Sequence, residues 1–329
     1  MLATPIPSRP TRAPLRAAFA ALFVTLALVA PSLASTKPAP AAATPATAKP
    51  NFAAWQMLLD RYLMRLPPKS ALQDTRFDYE QFYVDENIWT LRKSERLERI
   101  RAQLLSTPPS TLSPRDRRAW AINTYNFLVV EQASLNLLVP GRKFLRYGSV
   151  NEILINGVEF FRAPVLELEG KQWSIESFGR WYVYGDSTPA TEPRTRGADP
   201  RLAFALCRSY AGDAPLPPRA FRGDSLELQL DQAARRALAQ KRFVSWDAAA
   251  GSLVASELFN EIRMDFGGDP HEAIVFIERF GPPAARAHIK KFKLGTITRF
   301  AAVDPKMNQF ERPKAAPPTA APGTPGADT

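Results

Sequence analysis

The chain has 329 residues, 45% hydrophobic and 23% charged, ordinary globular usage that excludes wholesale disorder, a collagen-like repeat and a polytopic membrane protein. Its single cysteine excludes an internal disulfide and any Cys-rich zinc or iron–sulfur site. More than half of the +11 formal charge lies outside residues 51–305, where both signs are interspersed without a basic stripe, so nucleic acid is not an expected partner.

Arg9, Arg12 and Arg16 precede the apolar run Ala17 to Ala30, and Ser32-Leu33-Ala34 follows as a small-residue cleavage pattern. This predicts a signal peptide over 1–34, cleaved after Ala34, and a periplasmic or secreted mature protein. The run is shorter than the roughly 20 residues that span a bilayer, so no integral membrane span is expected in the mature chain; retention as an uncleaved anchor is the alternative. Residues 35–50 and 309–329 are rich in Ala, Pro and Thr and predict an extended linker and a disordered tail, because neither can bury enough apolar surface to offset chain ordering. Between them, 51–308 shows no composition break and is expected to form one domain.

From Asn51 to Leu66, Phe52, Trp55, Leu58, Leu59, Tyr62 and Leu66 recur at three- and four-residue steps, predicting a helix ended by Pro67-Pro68. Ser94 is the expected N-cap of a second helix carrying Leu97, Ile100, Leu104 and Leu105. Ser113 caps a third, with Pro114 at its first position, running over 115–138. Its apolar residues surround the axis, which predicts a buried central helix. Short apolar pieces follow at 152–155, 158–161, 165–168 and 172–175, with Asn156-Gly157 as a tight turn. A helix from Ser225 to Gln240, a hairpin over 242–246 and 252–255, a helix over 270–280 broken by Gly281-Pro282-Pro283, and a late strand over 296–302 complete the pattern. Helices first and short mixed strands later predict a single α+β domain.

The run Ala121-Ile122-Asn123-Thr124-Tyr125-Asn126-Phe127-Leu128-Val129 resembles a helix of the family called domain of unknown function 547. Ser174-Ile175-Glu176, Asp199 through Leu206, Ala214-Pro215-Leu216, the stretch from Ser256 to Phe266 and Val303 to Asn308 resemble further family segments in the same order. The resemblance identifies the chain as an exported bacterial member. It implies a papain- or transglutaminase-like arrangement in which His deprotonates Cys. It also implies that this set is degenerate here: Ser177 and Ala203 stand where the family carries histidines, and Arg208 stands at the cysteine's place, with Cys207 one position early.

Cys207 is the only candidate nucleophile, and only His271 and His288 could serve it as base. Its other reading is a buried small hydrophobe. Asn123, Tyr125 and Asn126 sit on an otherwise apolar helix and must find partners. Either they hold nearby loops, or they line a cleft with Glu176, Asp199 and Arg201 that takes an acidic ligand. Asp199-Pro200-Arg201 most simply forms a turn with an Arg clamp. No metal and no cofactor is expected, since two histidines and one cysteine are too few for a zinc site. The favoured expectation is a non-catalytic binding or scaffold domain at the cell envelope, recognising an envelope component or a small acidic ligand. The alternatives are a cysteine-dependent hydrolase or acyl transferase using Cys207 with His271 or His288, and an enzyme using the Asn/Asp/Arg cleft without a thiol.

Overall fold

The computed structural model describes residues 49–67, 72–88, 93–139, 146–189, 194 and 197–311. The expected signal peptide, nearly all of the linker and most of the tail lie outside them. Helix α1 (Ala53–Tyr62) buries Trp55, Leu58, Leu59 and Tyr62. It ends four residues before the expected Leu66, because Leu63–Arg65 (β1) turns extended and pairs antiparallel with Thr75–Phe77 (β2). The Asp78 N–H closes that end by donating to the Tyr62 carbonyl at 2.9 Å. Asp78 also caps a short helix, α2 (Tyr79–Asp85), that periodicity did not announce. In α3 (Glu95–Leu105) the Ser94 hydroxyl accepts the Leu97 N–H, the cap read from the sequence.

Helix α4 (Pro114–Leu135) is the centre of the fold. Ser113 caps it by accepting the Asp116 N–H, and every residue from Ala119 to Ser134 is buried. Trp120 and Phe127 are among its fully buried side chains, each stabilising the fold by about 2 kcal/mol through removal of apolar surface from water. Two hairpins follow. Leu154–Ile155 (β3) and Val158–Glu159 (β4) are joined by Asn156-Gly157, whose φ values of 52° and 81° place both turn residues in the left-handed region. Pro164–Leu168 (β5) pairs with Lys171–Ser174 (β6). Helix α5 (Ile175–Phe178) then runs into a π-helical turn, Gly179–Val183.

Beyond α6 (Arg201–Ala205) and α7 (Leu226–Leu238), Val244–Asp247 (β7), Ser252–Ser256 (β8) and Arg299–Ala301 (β9) form a three-stranded sheet, with β9 parallel to β8. Helices α8 (Leu258–Glu261), α9 (Pro270–Phe280) and α10 (Pro283–Phe292) complete the chain order. The sequence marks Gly281-Pro282-Pro283 only as a stop. In the structure Pro283 opens α10, because a proline at the first helical position lacks only an N–H that would have had no partner there.

The fold is α+β: helices with small two- and three-stranded sheets. One core cluster surrounds α4. A second is built from α7, β7, β8 and α8 to α10, with Phe204 of α6 against Phe243, Phe259 and Phe276. No helix among the described residues is long and apolar enough to cross a membrane.

Candidate functional site

A cavity of about 540 Å³ lies between the two clusters. Tyr125 of α4 forms its floor. Phe160, Phe161, Glu176, Gly179, Arg180 and Tyr184 form one side; Leu258, Glu261 and Ile262 form the other. Ala203, Leu206, Arg208 and Tyr210 close it along the chain after α6. Gly179 is required here, since a Cβ on it would lie 2.9 Å from the Tyr125 ring. A bulkier residue would push the π-helical turn, and the Arg180 and Tyr184 that it carries, away from the floor.

Two of the three positions that the resemblance assigns to the thiol set, 203 and 208, open onto this cavity. Position 177 lies between the lining residues Glu176 and Gly179. Ser177 caps α5 there in a reciprocal arrangement with Ser174. The segment after α6 is extended at Leu206, so Leu206 and Arg208 face the cavity while Cys207 between them turns into the core at 2% exposure. Ser209 then adopts φ 60°, uncommon for a residue with a Cβ. Its hydroxyl pairs with the Tyr79 hydroxyl at 2.6 Å, and its carbonyl accepts the Asn308 N–H at 2.7 Å.

Burial, and secondarily the Asp213 carboxylate, pushes the Cys207 thiol up to about 12. Its Sγ accepts the Ser209 N–H at 3.4 Å. Neither histidine lines the cavity: the His271 ring lies 3.4 Å from the Gly295 carbonyl, and His288 stacks on Trp246 with 4.3 Å between ring centroids.

Arg208 grips Asp213 with Nε and Nη2, both at 3.1 Å, and reaches Glu261 through Nη1 at 2.9 Å. Asp213 is buried, and its Oδ2 also accepts the Arg208 N–H at 2.8 Å. Burial lowers the Arg208 pKa, but attraction to Asp213, their hydrogen bonds and Glu261 outweigh it and hold the guanidinium well above its ordinary value. Arg162 pairs with Glu159 at 3.0 Å and Glu176 at 3.5 Å. Arg194 pairs with Asp265 at 2.6 Å and lies over the Tyr184 ring at 4.2 Å, leaving a buried Nη1 without a partner among the described residues. The phenols of Tyr125 and Tyr184 make no hydrogen bond among the described residues. Burial, then the neighbouring phenol, raises Tyr125 well above its ordinary value. Burial raises Tyr184 to about 12. Both therefore stay protonated as hydrogen-bond donors at neutral pH.

Of the six residues expected to form a cleft, the structure brings Tyr125 and Glu176 to the cavity and places the other four elsewhere. Asn123 donates to the Phe221 carbonyl at 2.8 Å and accepts the Phe221 N–H at 2.9 Å. Asn126 donates to the Ala205 carbonyl at 2.9 Å and accepts the Cys207 N–H at 2.8 Å. Each amide thus completes the backbone pairing of a passing chain. Asp199 and Arg201 form the expected clamp, extended by Glu227 and Asp231 of α7 at 2.6 Å each. Sequence reasoning did not find Arg162, Arg180, Arg194, Tyr184, Tyr210 or Glu261. They come from loops, the π-helical turn and α8, and no common spacing joins them. Among the described residues no group of three or more His, Cys, Asp or Glu side chains could hold a metal ion.

Residues 109–238, spanning the central helix, the cavity's floor and α7, match the family model described as "Protein of unknown function, DUF547". No curated protein and no solved structure matches the chain.

Proposed function

We propose a non-catalytic binding role for this chain, whose residues 109–238 match the DUF547 family model. The cavity around Arg208 takes a small acidic ligand, and the domain acts at the cell envelope after export. One observation carries this reading: Arg208 occupies the cavity, while the only thiol faces the core with no imidazole beside it. A thiol nucleophile needs its thiolate and a neighbouring base, and Cys207 has neither at neutral pH. The cavity instead offers a guanidinium, two protonated phenols and aromatic walls, which suit a carboxylate on a partly apolar body.

The test uses N-acetylalanine and N-acetylglutamate as probes, titrated into the folded protein by NMR or calorimetry. Tyr125→Phe removes one donor without removing the ring and is expected to weaken binding about tenfold, the worth of one hydrogen bond to a charged group. Failure of both probes to bind, or binding indifferent to Tyr125→Phe and Arg208→Lys, contradicts the reading.

A further inference from the structure

A second, larger hollow of about 1030 Å³ lies between the start of α1, the start of α4, the loop 217–225 and α7. Its lining includes Arg65, Arg115, Arg219, Arg222, Arg235 and Arg236, together with Lys49. The acids there are Asp116 and Asp224. Asp116 is already engaged by the Ser113 hydroxyl at 2.7 Å. The closest ion pair within the hollow is Arg222 with Asp224, at 3.7 Å. Arg65, Arg115, Arg219 and Arg236 have no acidic partner among the described residues. Burial, then the charge of Arg65, lowers the Arg236 pKa, as expected of two cations held close without an intervening anion.

The loop bearing Arg219 and Arg222 is built rigidly. Gln56 accepts the Ala220 N–H at 2.8 Å and donates to the Pro218 carbonyl at 3.0 Å. Asn123 pairs with both backbone groups of Phe221. Gln229 donates to the Ala220 carbonyl at 2.9 Å and accepts the Arg222 N–H at 2.8 Å. Gly223 lets the loop press onto α4, since a Cβ there would meet Asp116 Oδ1 at 2.2 Å. Three carboxamides from three helices thus fix a short loop whose exposed side chains are Arg219, Arg222 and Asp224.

The geometry points to this hollow as a binding site for a multivalent oxyanion, a ligand bearing several phosphate or carboxylate groups. Guanidinium groups match such oxygens in paired hydrogen bonds. Unneutralised cations held on a preorganised frame raise both the affinity and the encounter rate of an opposite charge. The site is separate from the Arg208 cavity and stands or falls independently of it.

The test is calorimetry and thermal melting of the folded protein at fixed ionic strength. Tripolyphosphate represents phosphate and citrate represents carboxylate. Arginine-dependent binding of either anion supports the site, and the tighter of the two identifies the oxyanion. Arg219→Gln with Arg222→Gln is expected to weaken binding about tenfold or more. Arg299→Gln, on β9, leaves it unchanged. Arg65→Gln provides a readout that loss of folding cannot imitate: its melting temperature without anion equals or exceeds that of the wild type, while its gain on adding anion is smaller. The proposal is overturned if neither anion binds, or if both bind the double variant as tightly as the wild type.

Discussion

The two hollows of this protein treat arginine in opposite ways. Around Arg208 the positive charges are matched: Asp213 and Glu261 hold Arg208, Glu159 and Glu176 hold Arg162, and Asp265 holds Arg194. In the hollow beside the 217–225 loop, cations approach one another and little neutralises them. The difference separates two uses of the same side chain. A guanidinium whose carboxylate is buried is anchored by the framework and offers a ligand only its remaining N–H groups, and its removal leaves an uncompensated charge. A guanidinium facing other guanidinium groups adds repulsion to the empty protein, which makes its use depend on an anion that arrives from outside.

Substitutions sharpen this contrast from large effects to small. The largest are expected at the amides that hold the two regions in place. Asn126→Ala strips partners from Cys207 and Ala205 beside the cavity, and Asn123→Ala strips them from Phe221 at the basic hollow. Each is expected to lower unfolding free energy by about 3 kcal/mol in denaturant titrations, because two buried backbone groups lose their hydrogen bonds. Arg208→Gln is expected to lower stability by about 3 kcal/mol, with a large part recovered by adding Asp213→Asn, since the cost lies in leaving Asp213 buried and unpaired. An additive double mutant would break the assignment of Arg208 to the framework.

Alkaline pH acts on the cavity side through three groups shifted by burial. The native pKa values of Cys207, Tyr125 and Tyr184 are raised above those of the unfolded chain. The folded state therefore keeps protons that the unfolded state has released. Their contribution is full below the unfolded values, near 8.5 for the thiol and 10 for the phenols, and is lost as pH rises through the native values, about 12 for Cys207 and Tyr184. Stability should fall above about pH 9, by about 1.4 kcal/mol per unit for each group inside its window. Cys207→Ala should flatten the first part of that fall. The smallest effect belongs to the basic hollow: Arg65→Gln should change stability by no more than about 0.5 kcal/mol, in the stabilising direction. A loss of 2 kcal/mol there would erase the distinction between the two hollows.

Much of the framework was legible in the chain. Apolar residues on every side of 115–138 announced a buried helix, which the structure forms over Pro114–Leu135, and Asn156-Gly157 announced a tight turn, whose two residues are left-handed. The boundaries failed where tertiary pairing overrode local preference. Leu63 to Arg65 continue the helical spacing of α1, yet they leave it to pair with Thr75–Phe77, a partner that periodicity does not show. Pro282-Pro283 stopped one helix in the reading and started another in the fold. At the site, positions 203 and 208 could be brought together because the resemblance supplied them. Whether Asn126 faced a ligand or a backbone could not be decided from an amide on an apolar helix, because both satisfy the same hydrogen-bonding need. Arg194 and Glu261 reach the cavity from parts of the chain with no shared pattern.

A cavity that works without thiol chemistry requires an inert Cys207 in the folded protein, and the rate of Cys207 alkylation against pH, folded against denatured, is the measurement that shows it. With the native thiol raised to about 12 and buried, the folded protein should react at least about 10³-fold more slowly than the denatured chain at pH 8, from the loss of thiolate alone. Fast alkylation of the folded protein with an apparent pKa well below 8.5 would mean that a base reaches Cys207 and that the cavity has a working thiol.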